Sequence, residues 1–125
     1  MQTFSKDERL CNQSLIEQLI KKGNSFNGFP FKITWMELQE STAPVKIVIS
    51  VPKRKFKKAV DRNRIKRLIR EVYRKNKHKL IERLDNKKIA LLLVYTSKTI
   101  FEYAEAEEKI NSALLRLGKE ISPLN

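Results

Sequence analysis

Val45-Lys46-Ile47-Val48-Ile49-Ser50-Val51-Pro52 opens a run in which strand, helix and strand signals follow one another without a break. Val45, Ile47, Ile49 and Val51 alternate with Lys46, Val48 and Ser50, which predicts a strand with one strongly apolar face. Pro52 ends it, because proline has no N–H to give to a sheet ladder. Lys53–Lys58 reads as a basic loop. Ile65, Leu68, Ile69 and Val72 then recur at helical spacing. They predict a helix from about Ala59 to Tyr73, its continuation to Leu84 left open. Asn86 marks a turn, and Ile89–Tyr95 is an apolar run of strand length, as expected for a central strand. Two strands joined through a helix should lie parallel in one sheet.

Outward from this unit the patterns stay regular. Phe31, Ile33 and Trp35 alternate with Lys32, Thr34 and Met36, which predicts a half-buried strand over Phe29–Leu38. Before it, Leu15, Ile16, Leu19 and Ile20 predict a short amphipathic helix that starts after Asn12 or Ser14. Ser14 and Glu17 have capping-box spacing, and Gly23 is placed to stop this helix. On the C-terminal side, Ala106, Ile110, Ala113, Leu114 and Leu117 form the inner face of a helix over about Glu102–Leu117, with Gly118 as its terminator. The expected order is α-β-β-α-β-α, a small α/β domain of the α+β type spanning 1–125. Its mixed sheet should carry helices mainly on one side.

Charge narrows the class. The 125 residues include 27 Lys or Arg against 14 Asp or Glu, a net of +13. Residues 52–79 alone hold 14 of the cations with only Asp61 and Glu71 opposing, a net of +12. Such concentration points to a polyanionic partner, nucleic acid first and an anionic membrane surface second. One cysteine, Cys11, excludes an internal disulfide and fits a reduced, cytoplasmic setting. The longest apolar run is far short of a membrane span, and the N-terminus lacks the apolar core of a secretion signal. His78 is the single histidine and lies among lysines. The sparse carboxylates Asp61, Glu71, Glu82 and Asp85 form no metal-ligand spacing, and no phosphate-cradling Gly-rich loop or nucleophile elbow is present. An autonomous nuclease therefore finds little support.

On a helical wheel the apolar stripe 65, 68, 69 and 72 spans roughly 240–340° from Arg62. Arg62, Lys66, Arg70 and Arg74 climb from 0° to about 120°, with Asn63 and Arg67 near 100° and 140°. One face thus suits the sheet, and another is a row of cations. Charge runs on helices are commonly solvated faces. A face of nearly one sign repels itself, however, and a polyanion relieves that cost. Arginine forks match phosphate oxygens, and Asn63 can serve sugar or base edges. A DNA-reading helix stays open, although dimerising heptads, zinc ligands and a helix-turn-helix pairing are lacking.

Arg62-Asn63-Arg64-Ile65-Lys66-Arg67-Leu68-Ile69-Arg70-Glu71 resembles the signature helix of the protein subunit of bacterial ribonuclease P. Ser50-Val51-Pro52-Lys53-Arg54, Ala59-Val60, the early Arg9-Leu10 and the late strand–helix pair are similar as well, so the resemblance covers about 9–117. It implies a protein that binds a large catalytic RNA and helps it remove the 5′ leader of precursor tRNA. Hydrolysis would rest with the RNA and its Mg2+ ions, and the protein itself would need no cofactor, metal or protein partner. By matching position, Arg62, Asn63, Arg64, Lys66, Arg67 and Arg70 would contact RNA, with Lys53 and Arg54 extending that surface. A groove between the first helix and the sheet would receive the leader. Members commonly place aromatics where this chain has Ile16 and Ile20, which leaves apolar contact there without stacking. Phe31 and Trp35 could supply stacking or could be core; Ser50 matches a groove position or is a buried hydroxyl. Val48, where members often have Gly, should make the groove shallower. The resemblance also implies a left-handed β-α-β crossover, as in the ribosomal-protein-like two-layer fold, where the general rule is right-handed. A structural ribosomal protein of similar fold is the main alternative.

Overall fold

A computed structural model of the chain describes residues 13–39, 41 and 43–121. Arg9, Leu10 and Cys11 lie outside the described residues. The elements are α1 (Gln13–Lys22), β1 (Asn24–Gly28), β2 (Phe31–Leu38), β3 (Val45–Ser50), α2 (Ala59–Leu84), β4 (Lys88–Tyr95) and α3 (Tyr103–Ile121). They build a four-stranded sheet in the order β1-β2-β4-β3. β3 and β4 are parallel, as the intervening helix requires, with Val45 opposite Ile89 and Ser50 opposite Val94. β2 runs antiparallel to both β1 and β4, with Phe31 opposite Tyr95.

The order is therefore α-β-β-β-α-β-α, one strand more than the periodicity predicts. β1 reads Asn-Ser-Phe-Asn-Gly, and Phe26 is its one buried residue. Asn and Gly are poor strand formers. The strand is held by its full ladder to β2, from Asn24–Trp35 to Gly28–Phe31, and that partner is not visible locally.

Side-chain alternation sorts the sheet into two faces. Phe31, Ile33, Val45, Ile47, Ile49, Ile89, Leu91, Leu93 and Tyr95 pack with Ile65, Ile69, Val72 and Tyr73 of α2 and Ala106, Ile110, Leu114 and Leu117 of α3. This is the main core, and the predicted inner face of α3 is buried throughout. The opposite face carries α1, through Leu19 with Ala90 and Leu92, flanked by Leu15, Ile16, Met36, Leu38, Val48 and Val94. A ten-residue helix is marginal alone. Full burial of Leu19, worth about 1.5–3 kcal/mol, helps pin it to the sheet.

Local expectations are sharpened or changed. α1 is described from Gln13, in keeping with the predicted start after Asn12; exposed Ser14 already lies within the helix, so the alternative start after Ser14 does not hold. α1 ends at Lys22, just before Gly23, whose φ is not positive; glycine is needed there for space, since an added Cβ would strike the Leu19 carbonyl oxygen and lie 2.8 Å from Thr34 Cγ2. α3 runs through Gly118 to Ile121. There the side chain of Arg83 crosses so closely that a Cβ would meet its Cδ at 2.7 Å. Glycine at 118 thus makes room for the neighbouring helix and does not end its own. α2 continues past Tyr73 as one helix of 26 residues, about 39 Å long, and ends where Asp85 and Asn86 turn with positive φ.

Candidate RNA interface

The basic loop and the start of α2 form one unit at the sheet end where β3 and β4 finish. Phe56, alone among the cations of Lys53–Lys58, is buried and packs near Tyr95, ring centroids 6.0 Å apart. It anchors the loop, which leaves Lys53, Arg54, Lys57 and Lys58 exposed. Lys55 is tied down instead, donating from Nζ to the Thr96 carbonyl. The N-cap of α2 is Lys58, with no side-chain cap. Free N–H groups and the positive end of a long helix dipole therefore coincide with a cluster of lysines, and only Asp61 opposes them in the first turn. Such an end is costly for the isolated chain and favourable toward phosphate.

Along α2 the buried residues are Ile65, Ile69, Val72, Tyr73, Leu80 and Leu84, with Leu68 half-buried. Asn63, Arg64, Arg67 and Arg70 are exposed, and Lys66 is half-buried. Among the described residues Arg64, Arg67 and Arg70 have no carboxylate partner. Arg74 differs: its Nε and Nη2 donate to Glu71 at 3.0 and 3.1 Å. The Arg74 hydrogen bond holds the Glu71 carboxyl below its ordinary range. The wheel's cationic row therefore ends at Arg70 as far as free charge is concerned.

Arg62 is turned inward. Its Nη1 donates to the carbonyls of Phe56 at 2.8 Å and Lys57 at 2.9 Å. It closes the basic loop onto the helix that follows, a role that the wheel assigns to none of the cations. The spacing of five and six residues back into a loop left no periodic signal. A lone Phe within a lysine run was the one hint that the loop is anchored.

The face bearing α1 forms the other part of the site. Lys46, Val48 and Ser50 of β3 and Val94 of β4 are half-buried on this face, while Val45, Ile47 and Ile49 on the far side are buried. A strip beside α1 is thus left open, floored by Val48 and Val94. Ile16 packs against this cluster, and Ile20, one turn further along α1, is 64% exposed. Ile16, Ile20 and Ser50 are accordingly brought to one side of the sheet.

Phe31 and Trp35 are not among them. Phe31 is 3% exposed in the α2–α3 core, and Trp35 packs against the same core, its Nε1 buried without an acceptor among the described residues. Neither stands where an unpaired base in the strip could stack on it. Thr34 has the groove parity on β2, but it is buried and bonded to Ser25 at 3.0 Å. The signal was present in the alternation: the more apolar parity of β2 belongs against the thicker layer.

Comparison with known proteins bears on the lineage and the fold. The family model described as Ribonuclease P matches residues 4–118. The ribonuclease P protein component of Porphyromonas gingivalis is 30% identical over 121 residues, covering 94% of this chain and 88% of the relative. That of Geotalea uraniireducens is 36% identical over 78 residues, 62% of this chain and 66% of the relative. Among solved structures, the ribonuclease P protein of Thermotoga maritima superposes with a TM-score of 0.71 at 23% identity, covering 87% of this chain and 96% of that one. The Staphylococcus aureus protein gives 0.69 at 24%, covering 91% and 97%. The two superpositions establish the fold, and the family model with its full-length relative establishes the lineage: this chain belongs to the family of ribonuclease P protein components.

Proposed function

We propose that this chain is the RNA-binding subunit that docks on the ribonuclease P RNA through α2 and the basic loop, and that the complex removes the 5′ leader of precursor tRNA in the bacterial cytoplasm. The observation that carries this is the set Lys53, Arg54, Arg64, Arg67 and Arg70, exposed, without a carboxylate partner among the described residues, and grouped on one helix and the loop that feeds it. Asn63 lies in the same surface and Lys66 at its edge. Arg62 serves it indirectly by holding the loop. The strip floored by Val48 and Val94 between α1 and the β3 edge suits a single strand, with Ile16, Ile20 and Ser50 along it.

Cationic side chains bind phosphate and do not ligate a divalent ion. Mg2+ would therefore be held by RNA phosphates, and when bound would supply Lewis-acid activation of water and of the leaving oxygen. This chain contributes binding and orientation. Reconstitution with the RNA subunit is expected to lower the Mg2+ needed for cleavage and to favour leader-bearing over leaderless substrate. A folded protein that changes neither would refute the proposal. A ribosomal role would show instead as ribosomal RNA copurifying in place of the ribonuclease P RNA.

A further inference from the structure

An exposed aromatic cluster lies on the α3 side of the sheet end that carries the basic loop, joined to that loop through Tyr95, which packs against both Phe56 and Phe101. Phe29, in the connection between β1 and β2, is 64% exposed. Phe101, just before α3, meets its ring edge-on, centroids 6.1 Å apart at 82°. Lys109 of α3 lies over both rings, its Nζ 5.5 Å from the Phe29 centroid and 5.4 Å from that of Phe101. Phe101 is braced in turn by Tyr95, at 6.3 Å. The connection is fixed by the Thr96 N–H donating to the Pro30 carbonyl at 2.7 Å. One helical region further along α3, Arg116 stands 4.4 Å over Phe26 and donates to the Asn27 carbonyl at 2.9 Å.

An apolar ring left in water beside a cation is what a nucleobase stacks on, and the interaction tolerates any base. The charge around it discriminates among RNA partners. Lys98, Lys109 and Arg116 are opposed by Glu102, Glu105, Glu107 and Glu108 on the same segment. A folded RNA, dense in phosphate, would demand the net positive field that α2 and the basic loop have and this segment lacks. A single strand can lay one base on Phe29 and keep its phosphates in solvent. Stacking also requires a base that is not paired; a precursor tRNA offers its 5′ leader and its 3′ end, and of the two only the leader is missing from mature tRNA, so a comparison with mature tRNA tells them apart.

We infer that the Phe29–Phe101–Lys109 notch is a stacking site for one unpaired nucleotide of the 5′ leader, beyond those held along the α1 strip. The inference rests on the proposed precursor-tRNA function. The test uses the reconstituted holoenzyme, with leaders lengthened one nucleotide at a time, and compares wild type with Phe29→Ala and Phe29→Trp. Phe29→Ala should weaken binding of long-leader substrate by about fivefold or more, the loss of one stacked base, by the same factor at low and high salt. Phe29→Trp should retain wild-type affinity. Mature tRNA and the isolated RNA subunit should bind both variants as they bind wild type. Unchanged long-leader affinity in Phe29→Ala overturns the inference. So does an equal loss toward the RNA subunit, which would assign the notch to that partner. If wild-type holoenzyme shows no leader preference, the proposed function itself fails, and the inference with it.

Discussion

Arg62 and Arg67 sit five residues apart on one helix, and their replacement should have different consequences. Arg67 is exposed and free of any carboxylate among the described residues. Arg62 spends its Nη1 on two loop carbonyls, at 2.8 and 2.9 Å. Hydrogen bonds from a charged donor are worth about 1.5–3 kcal/mol each when sheltered. The bond to Lys57 is exposed, so about 1–2 kcal/mol for the pair is the reasonable figure. In Arg62→Ala that cost falls on ordering Lys53–Lys58, and RNA binding must supply it. The dissociation constant for the RNA subunit should rise roughly 5- to 30-fold. The phosphate contacts re-form on binding, so the slope of log K against log salt should not change. Arg67→Ala should instead lower that slope by about 0.7–0.9, one released counterion. Fluorescence anisotropy across a salt series gives both numbers. Hydrogen exchange of the loop amides in the free protein should quicken in Arg62→Ala alone. If Arg62→Ala lowers the slope as Arg67→Ala does and leaves the loop amides protected, Arg62 is a phosphate contact and the clamp is wrong.

Gly23→Ala should destabilise the fold by about 1–3 kcal/mol, since its Cβ would strike a backbone oxygen that cannot retreat; an unchanged Tm would contradict this. Burial holds the Tyr95 hydroxyl pKa above its ordinary 10.0, outweighing its hydrogen bonds. The unfolded chain then loses this proton first, so stability should fall as pH climbs past about 10 toward the folded value. Tyr95→Phe should show a shallower loss over that range in urea titrations, and an identical pH profile would count against it. Ile20→Phe should restore a stacking ring beside the strip at little cost to stability, because Ile20 is 64% exposed. Leader-bearing precursor should bind it about fivefold more tightly, with mature tRNA unaffected; equal precursor affinity for Ile20→Phe and wild type would place Ile20 off the leader's path.

Much of the architecture was legible in local pattern. Val45–Val51 and Ile89–Tyr95 read as strands joined by a helix, and they pair in parallel. The apolar stripe 65, 68, 69 and 72 faces the sheet, with Leu68 at its edge. What failed to show was whatever depended on a distant partner. β1 has one core residue and exists by its ladder to β2. The alternation of β2 groups Phe31 with Ile33 and Trp35 on its more apolar face, but that this face takes the α2–α3 layer is fixed only by the packing of two helices distant in sequence. Gly118 resembled a helix terminator because the Arg83 side chain that needs its space comes from another helix.

The sequence alone determined the β-α-β unit, the cationic helix face and the concentration of charge, because periodicity and charge are properties of neighbouring residues. Tertiary structure decided which face of the sheet α1 covers, hence which strip of that face stays open. It also separated Arg62 from Arg64, Arg67 and Arg70, which local spacing treats as equals. A guanidinium seeks the nearest unsatisfied acceptor, and only the folded loop brings the Phe56 and Lys57 carbonyls within its reach.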